Sequence, residues 1–236
     1  MADNKDQVRW GAVVPAAGVG RRMKSGQPKQ LIMLGHRPIL IHTLIRLAAC
    51  PLLKDLVVAA PAKFIEEIKD LIDSYGVAKV RAVVAGGATR QESVSLGLAA
   101  LDPACDYVVI HDGVRPLVDR PTLDRVMTAA REIGAATAGI PVQDTLAGVD
   151  KKRFIGSMPS RSRLWQVQTP QAFWRPLLAE AQAQAREDDH LGTDEAGLVV
   201  RLGRPVRMVA GSPLNLKLTT PQEFKLAEAI LGLGEN

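Results

Sequence analysis

The stretch Trp10-Gly11-Ala12-Val13-Val14-Pro15-Ala16-Ala17-Gly18-Val19-Gly20-Arg21-Arg22-Met23, with Pro28-Lys29-Gln30 behind it, decides how the chain is read. The apolar run that starts it, from Val8 to Val14, predicts a buried strand. The run then opens into small residues, two glycines and clustered cations. Small residues let backbone N–H groups approach phosphate oxygens, and cations neutralise them. Such a junction puts a phosphate-rich ligand at the carboxyl end of a parallel sheet. Two other glycine-rich patterns fail here. A P-loop ends in Gly-Lys-Ser/Thr, but Met23 precedes Lys24-Ser25. A dinucleotide fingerprint needs a small residue where Met23 stands and an acid about 20 residues on, where His36, Arg37 and Pro38 stand. The cations Arg21, Arg22, Lys24 and Lys29 among Gly and Pro also argue against a plain solvated turn.

Outward from this stretch, strand and helix patterns alternate. Strands are predicted over Asp55 to Ala60, Lys79 to Val84, Tyr107 to Ile110, Ala135 to Pro141 and Val206 to Val209. Helices are predicted over Pro38 to Ala49, Pro61 to Ser74, Arg90 to Ala100, Pro121 to Ile133, Gln171 to Arg186, Asp194 to Leu202 and Pro221 to Leu231. Continuous apolar strands between helices imply an α/β fold, a Rossmann-like, mostly parallel sheet with helices on both faces. Residues 142–164 break the alternation. Asp144 to Val149 facing Phe154 to Met158 predicts a protruding two-stranded β-arm. A lone hairpin is marginally stable, so a second copy of the chain is its economical partner. The expectation is a single domain, 1–236, with 142–164 as a dimerisation arm.

The bulk properties exclude several classes. An apolar share of 47% with 23% charged residues suits a soluble globular enzyme. No run reaches the length of a membrane span, and Met1 to Arg9 lacks the apolar core of a signal peptide, so a cytoplasmic protein is expected. Cys50 and Cys105 follow no metal spacing and read as buried apolar side chains. The net charge of +5 comes without a long Lys/Arg run and with only 4% aromatics, which favours a small polyanion over nucleic acid.

The pattern Ala-Ala-Gly-x-Gly-x-Arg-Met with Pro-Lys-Gln resembles the signature of sugar-nucleotide-type nucleotidyltransferases. Later blocks narrow the resemblance. They are Gly86-Gly87-Ala88-Thr89-Arg90-Gln91-Glu92-Ser93-Val94, His111-Asp112-Gly113-Val114-Arg115-Pro116, Pro141-Val142-Gln143-Asp144-Thr145, Leu164-Trp165, Thr169-Pro170-Gln171, Thr193-Asp194-Glu195 and Asn215-Leu216-Lys217. In this order they resemble the cytidylyltransferase family of the non-mevalonate isoprenoid route, from about Val13 to the C-terminus. The resemblance implies a nucleotide-diphospho-sugar transferase fold, CTP and a polyol phosphate (2-C-methyl-D-erythritol 4-phosphate) as substrates, Mg2+ as the divalent metal, and a homodimer with exchanged arms.

Nucleotidyl transfer needs positioning and charge stabilisation more than a dedicated base, because the attacking phosphate is already an oxyanion. The resemblance makes Arg22, Lys29, Arg161 and Lys217 catalytic. It assigns CTP to Ala16, Ala17, Gly18, Val19, Gly20, Arg21, Lys29, Gly87, Ala88, Ser93, Asp112, Gly113 and Lys217. In that assignment the loop at Gly87 reads cytosine with help from the Ser93 hydroxyl. The polyol phosphate falls to Asp112, Arg115, Thr145, Arg161, Thr169, Thr193 and Lys217, with Thr145 and Arg161 acting in the partner's site. Asp112 is also the candidate metal ligand. From the residues alone, an acid ending so apolar a strand needs a task or a partner, and a salt bridge to Arg115 would supply one. His111 reads as structural. Gly113-Val114 departs from the commoner alanine pair, and the bulkier Val114 alters the local fit. Three alternatives stand beside this reading: a ribitol 5-phosphate cytidylyltransferase, a non-catalytic nucleotide-binding regulator, and a nucleic-acid binder. No fused cyclase domain is expected after the last helix.

Overall fold

The computed structural model describes residues 8–18 and 28–233. The chain runs β1 (Trp10–Pro15), β2 (Met33–Leu34), β3 (Arg37–Pro38), α1 (Ile39–Ala48), β4 (Leu53–Ala60), α2 (Ile65–Ser74), β5 (Val80–Ala85), α3 (Arg90–Ala100) and β6 (Tyr107–Ile110). It continues α4 (Arg120–Ile133), β7 (Ala135–Pro141), β8 (Gly148–Val149), β9 (Ile155–Ser157), β10 (Trp165–Trp174), α5 (Arg175–Glu187), α6 (Glu195–Arg201), β11 (Arg207–Ala210) and α7 (Pro221–Leu233). Seven strands form the main sheet in the order β11-β7-β10-β6-β1-β4-β5. β10 is antiparallel to both of its neighbours, and the other pairings are parallel.

The period of two along each strand feeds two cores. Ala12, Val14, Leu56, Val58 and Val109 join side chains of α1, α2 and α4 on one face. Val13, Val57, Val108 and Ile110 join those of α3, α5 and α6 on the other. Helix ends are set by side chains. Thr89 caps α3 by accepting from Glu92 N, Asp119 caps α4 from Thr122 N, and Asp194 caps α6 from Gly197 N. Gly134, at φ 92°, closes α4 in the left-handed region. Both cysteines are buried and free. No helix among the described residues is long and apolar enough to cross a membrane.

The expected fold class holds, with one element corrected. A helix was expected from Gln171, but Gln171 to Trp174 finish β10, and α5 begins at Arg175. Proline inside a pattern argues against a central strand. Here Pro170 sits where the β10–β7 register breaks, between Val167 and Gln171, so no ladder bond is asked of it. The arm is a short hairpin, β8 on β9, closed by Asp150 Oδ1 accepting from Lys152 N and Phe154 N.

Strand order reverses at β1, with β4 and β5 on one side and β6 on the other. The crevice outside the carboxyl ends at such a switch point is where α/β sheets bind ligands. Because β10 runs the opposite way, its amino-terminal half lies at that same edge. Thr169 therefore meets Asp112, which follows β6.

Candidate active site

Two cavities open at this edge. The first, about 250 Å³, lies between the loops after β1, β5 and β6 and is lined by Ala16, Ala17, Gly18, Lys29, Gly87, Ala88, Ser93, Asp112 and Lys217 among others. The second, of about the same size, is lined by Asp112, Arg115, Thr169, Thr193 and Lys217 among others. Arg90, Asp112 and Lys217 belong to both linings. Val19, Gly20, Arg21 and Arg22 lie outside the described residues.

The loops are fixed by buried polar contacts. The amide of Gln30, 1% exposed, donates to the Ala16 carbonyl and pins the end of β1. The Ser93 hydroxyl accepts from Gly87 N at 3.1 Å and donates to the Thr89 carbonyl at 2.8 Å. Glu92 Oε2 accepts from Ala88 N at 2.7 Å. A Cβ on Gly86 would stand 2.3 Å from the Ala17 Cβ, so the β1 and β5 loops close on each other only because residue 86 has no side chain. Gly113 serves packing in the same way: a Cβ there would press Ala16, Leu40 and Val14 at 3.1–3.3 Å. Val114, rather than Gly113, faces the first cavity.

Asp112 is the centre of the charge. Its Oδ1 lies 3.0 Å from Arg90 Nε and its Oδ2 2.8 Å from Lys217 Nζ, with Arg115 Nε at 3.7 Å. Burial pushes the carboxyl up, but Arg90, Lys217 and Arg115 together outweigh it and hold Asp112 well below the ordinary carboxylate range. The partner expected from sequence, Arg115, is the most distant of the three. Arg90 also reaches Glu195, Nη1 to Oε2 at 2.6 Å.

Behind Asp112 runs a buried relay. Asp112 N donates to Thr169 Oγ1, which lies 3.1 Å from His111 Nδ1, and His111 Nε2 lies 3.1 Å from the Arg115 carbonyl. One assignment satisfies every group: Thr169 donates to Nδ1, and a neutral imidazole donates from Nε2. Burial pulls His111 down to about 4, and the hydrogen bond to Arg115 and the charge of Asp112 raise it by less. The structural reading of His111 fits this position. Thr169 thus spends its hydroxyl on holding Asp112, and Asn215 Nδ2 fixes its carbonyl at 2.7 Å.

An unfolded chain protonates His111 near pH 6.5, whereas the fold resists until about pH 4. Between those values the unfolded state binds more protons, so stability is full above the upper limit and falls on acidification. At pH 5 the loss is about 2 kcal/mol. Urea midpoints at neutral pH and at pH 5 are expected to differ more for the wild type than for His111→Gln. Equal shifts in the two would contradict the assignment.

Thr145 and Arg161 are not brought to either cavity. Both are exposed on the arm segment, where Arg161 donates to the Gln143 carbonyl. Thr193 lines the second cavity one residue before the cap of α6. Three groups that hold the site, buried Glu195 and Gln30 and half-buried Arg90, have no role that the motifs alone announce. Their signal was position, since Arg90 and Glu195 are the first residues of α3 and α6.

Among the described residues, no three His, Cys, Asp or Glu side chains gather to hold a metal ion. Of the described residues lining the first cavity, Asp112 alone is acidic. One carboxylate amid cations suits a magnesium ion held chiefly by phosphate oxygens, the usual habit of Mg2+ at nucleotide sites.

This geometry has known counterparts. A family model described as 2-C-methyl-D-erythritol 4-phosphate cytidylyltransferase matches residues 11–233. A protein of that name from Syntrophus aciditrophicus is 46% identical over 221 residues, 93% of this chain and 94% of the relative. Another from Symbiobacterium thermophilum is 44% identical over 225 residues, 95% of this chain and 94% of the relative. The solved 4-diphosphocytidyl-2C-methyl-D-erythritol synthase of Anaerococcus prevotii superposes with a TM-score of 0.85 at 28% identity, covering 96% of this chain and all of that one (100%). The cytidylyltransferase of Thermus thermophilus gives 0.76 at 34% identity, covering 94% and 98%. With nearly its whole length matched in sequence and in fold, the chain belongs to the 2-C-methyl-D-erythritol 4-phosphate cytidylyltransferase family.

Proposed function

We propose that the chain transfers CMP from CTP to 2-C-methyl-D-erythritol 4-phosphate, forming 4-diphosphocytidyl-2-C-methyl-D-erythritol and pyrophosphate in isoprenoid precursor synthesis. The observation that carries this reading is the junction of two cavities at Arg90, Asp112 and Lys217. A phosphate oxygen of the polyol phosphate attacks the α-phosphorus, and the bond to the β-phosphate breaks as pyrophosphate leaves. No proton need move, so cations and alignment are the catalytic means. Lys29 faces the nucleotide, and Lys217 stands where the two phosphates meet. Arg22, beyond the described residues, would add to the charge on the nucleotide side.

The Gly87 and Ala88 N–H groups are taken by Ser93 and Glu92. That leaves the loop carbonyls as acceptors for the exocyclic amine of cytosine, with Ser93 supporting the loop instead of reading the base. Magnesium, when bound, neutralises triphosphate oxygens, and Asp112 is the residue that would hold it. Arg115, Thr169 and Thr193 border the polyol phosphate chamber.

The proposed assembly is a homodimer of single-domain chains that exchange the arm 142–164. Phe154, Ile155, Met158 and Val149 are 57–70% exposed on a hairpin too short to stand alone. Arg161 and Thr145 would then complete the partner's second cavity. The reaction is assigned to the cytoplasm, where CTP is made. The specificity claim is tested by competition: kcat/KM for 2-C-methyl-D-erythritol 4-phosphate is expected to exceed that for ribitol 5-phosphate about 100-fold, the order of discrimination a pocket reaches against an analogue that loses a methyl branch and adds a hydroxyl. A preference for ribitol 5-phosphate would overturn the substrate assignment and keep the nucleotide site.

A further inference from the structure

We propose that Glu195 is a positioning residue for the transfer, acting through Arg90 on Asp112. The inference rests on the function proposed above and adds a residue to it. Glu195 is fully buried, at 0% exposed, and lines neither cavity. It therefore has no route to substrate except through a neighbour. That neighbour is Arg90, which binds two carboxylates with different nitrogens: Nη1 to Glu195 at 2.6 Å and Nε to Asp112 at 3.0 Å.

The arrangement fixes Asp112 from two sides. Arg90 holds Oδ1 while Lys217 holds Oδ2. A guanidinium released from Glu195 would turn to face Asp112 with two parallel nitrogens, the preferred fork geometry, and would compete with Lys217 for Oδ2. Glu195 prevents this by holding the far end of Arg90. If the pair served only to join α3 to α6, both ends would be satisfied within it. Instead Glu195 Oε1 and Arg90 Nη2 have no hydrogen-bond partner among the described residues, and the contact outside the pair goes to Asp112. The base-side loop is held separately, by Ser93 and Glu92. Although Arg90, Asp112 and Lys217 also border the nucleotide cavity, its base-side loop does not depend on them, so nucleotide binding should register the loss of Glu195 far less than turnover does.

The test uses full-length protein and the variant Glu195→Gln. Relative to wild type, kcat is expected to fall about 30-fold or more and KM for the polyol phosphate to rise about 10-fold, while Kd for CTP alone, by calorimetry, stays within about threefold. Arg90→Gln combined with Glu195→Gln should be no worse than Arg90→Gln alone, as expected of residues acting as a unit. Wild-type kinetics in Glu195→Gln would overturn the inference, as would a double variant whose losses add in full. So would a CTP Kd weakened in proportion to kcat, the mark of a merely structural role. Should Glu195→Gln not fold, comparing the double variant with Arg90→Gln carries the same two outcomes. An inactive wild type would overturn the transfer reading and this inference with it. An active wild type beside an unaffected variant overturns the inference alone.

Discussion

Asp112→Asn is expected to lower kcat/KM about 10³-fold, the upper end of the loss on removing one preorganised donor, because three cations lose their anchor at once. The substitution keeps shape and removes the charge that Arg90, Lys217 and Arg115 share. Three cations then lose their common partner, and Lys217 is free to drift from the junction of the cavities. The loss should fall on kcat and on the magnesium concentration that half-saturates the reaction, because Asp112 is the residue proposed to hold the ion while the surrounding cations still attract the triphosphate. The fold also loses a buried carboxylate that its partners keep ionised, so the thermal midpoint should fall as well. Since Asp112 is held below its ordinary range, its contribution is complete above pH 3.8 and fades only as pH falls through its lower folded value. An acid limb in the rate profile between pH 5 and 8 should then belong to another group. Steady-state kinetics and a melting curve on the same preparation check these points. A loss under tenfold would remove Asp112 from the centre of the site.

The second large effect concerns the arm. Lys29→Ala and Arg161→Ala are each expected to be nearly inactive as homodimers. Mixed and re-assorted, they are expected to recover about a quarter of wild-type activity, because half the dimers are mixed and one of their two sites pairs an intact body with an intact arm. If the arm served its own chain, each subunit of the mixed dimer would carry one lesion and nothing would return. The second cavity motivates the test: Arg115, Thr169, Thr193 and Lys217 line it, while Thr145 and Arg161 do not reach it within one chain. Activity in an enforced monomer would also exclude the exchange.

Much of this was legible in the residues. The apolar run ending at Val14, the Gly86-Gly87 turn and the helix pattern from Arg90 fell where periodicity and turn chemistry put them. The cavities gather the described loop residues expected to bind nucleotide, apart from Gly113. β10 was missed because its stretch through Gln168, Thr169 and Pro170 has neither the apolar run of a buried strand nor a clean alternation. Its place is set by pairing on both sides with β6 and β7. Arg90 and Glu195 were missed for a different reason. They stand 105 positions apart, and no local pattern announces an ion pair made by two helix starts meeting over one sheet edge.

Transfer itself is read from a phosphorus NMR spectrum of one mixture containing the protein, CTP, magnesium and 2-C-methyl-D-erythritol 4-phosphate. CTP and the phosphomonoester are expected to disappear together while pyrophosphate and a diphosphodiester grow in equal amounts, and Lys29→Ala is expected to abolish the change. Unaltered CTP, or its breakdown to CDP and phosphate without a diphosphodiester, would contradict the transfer.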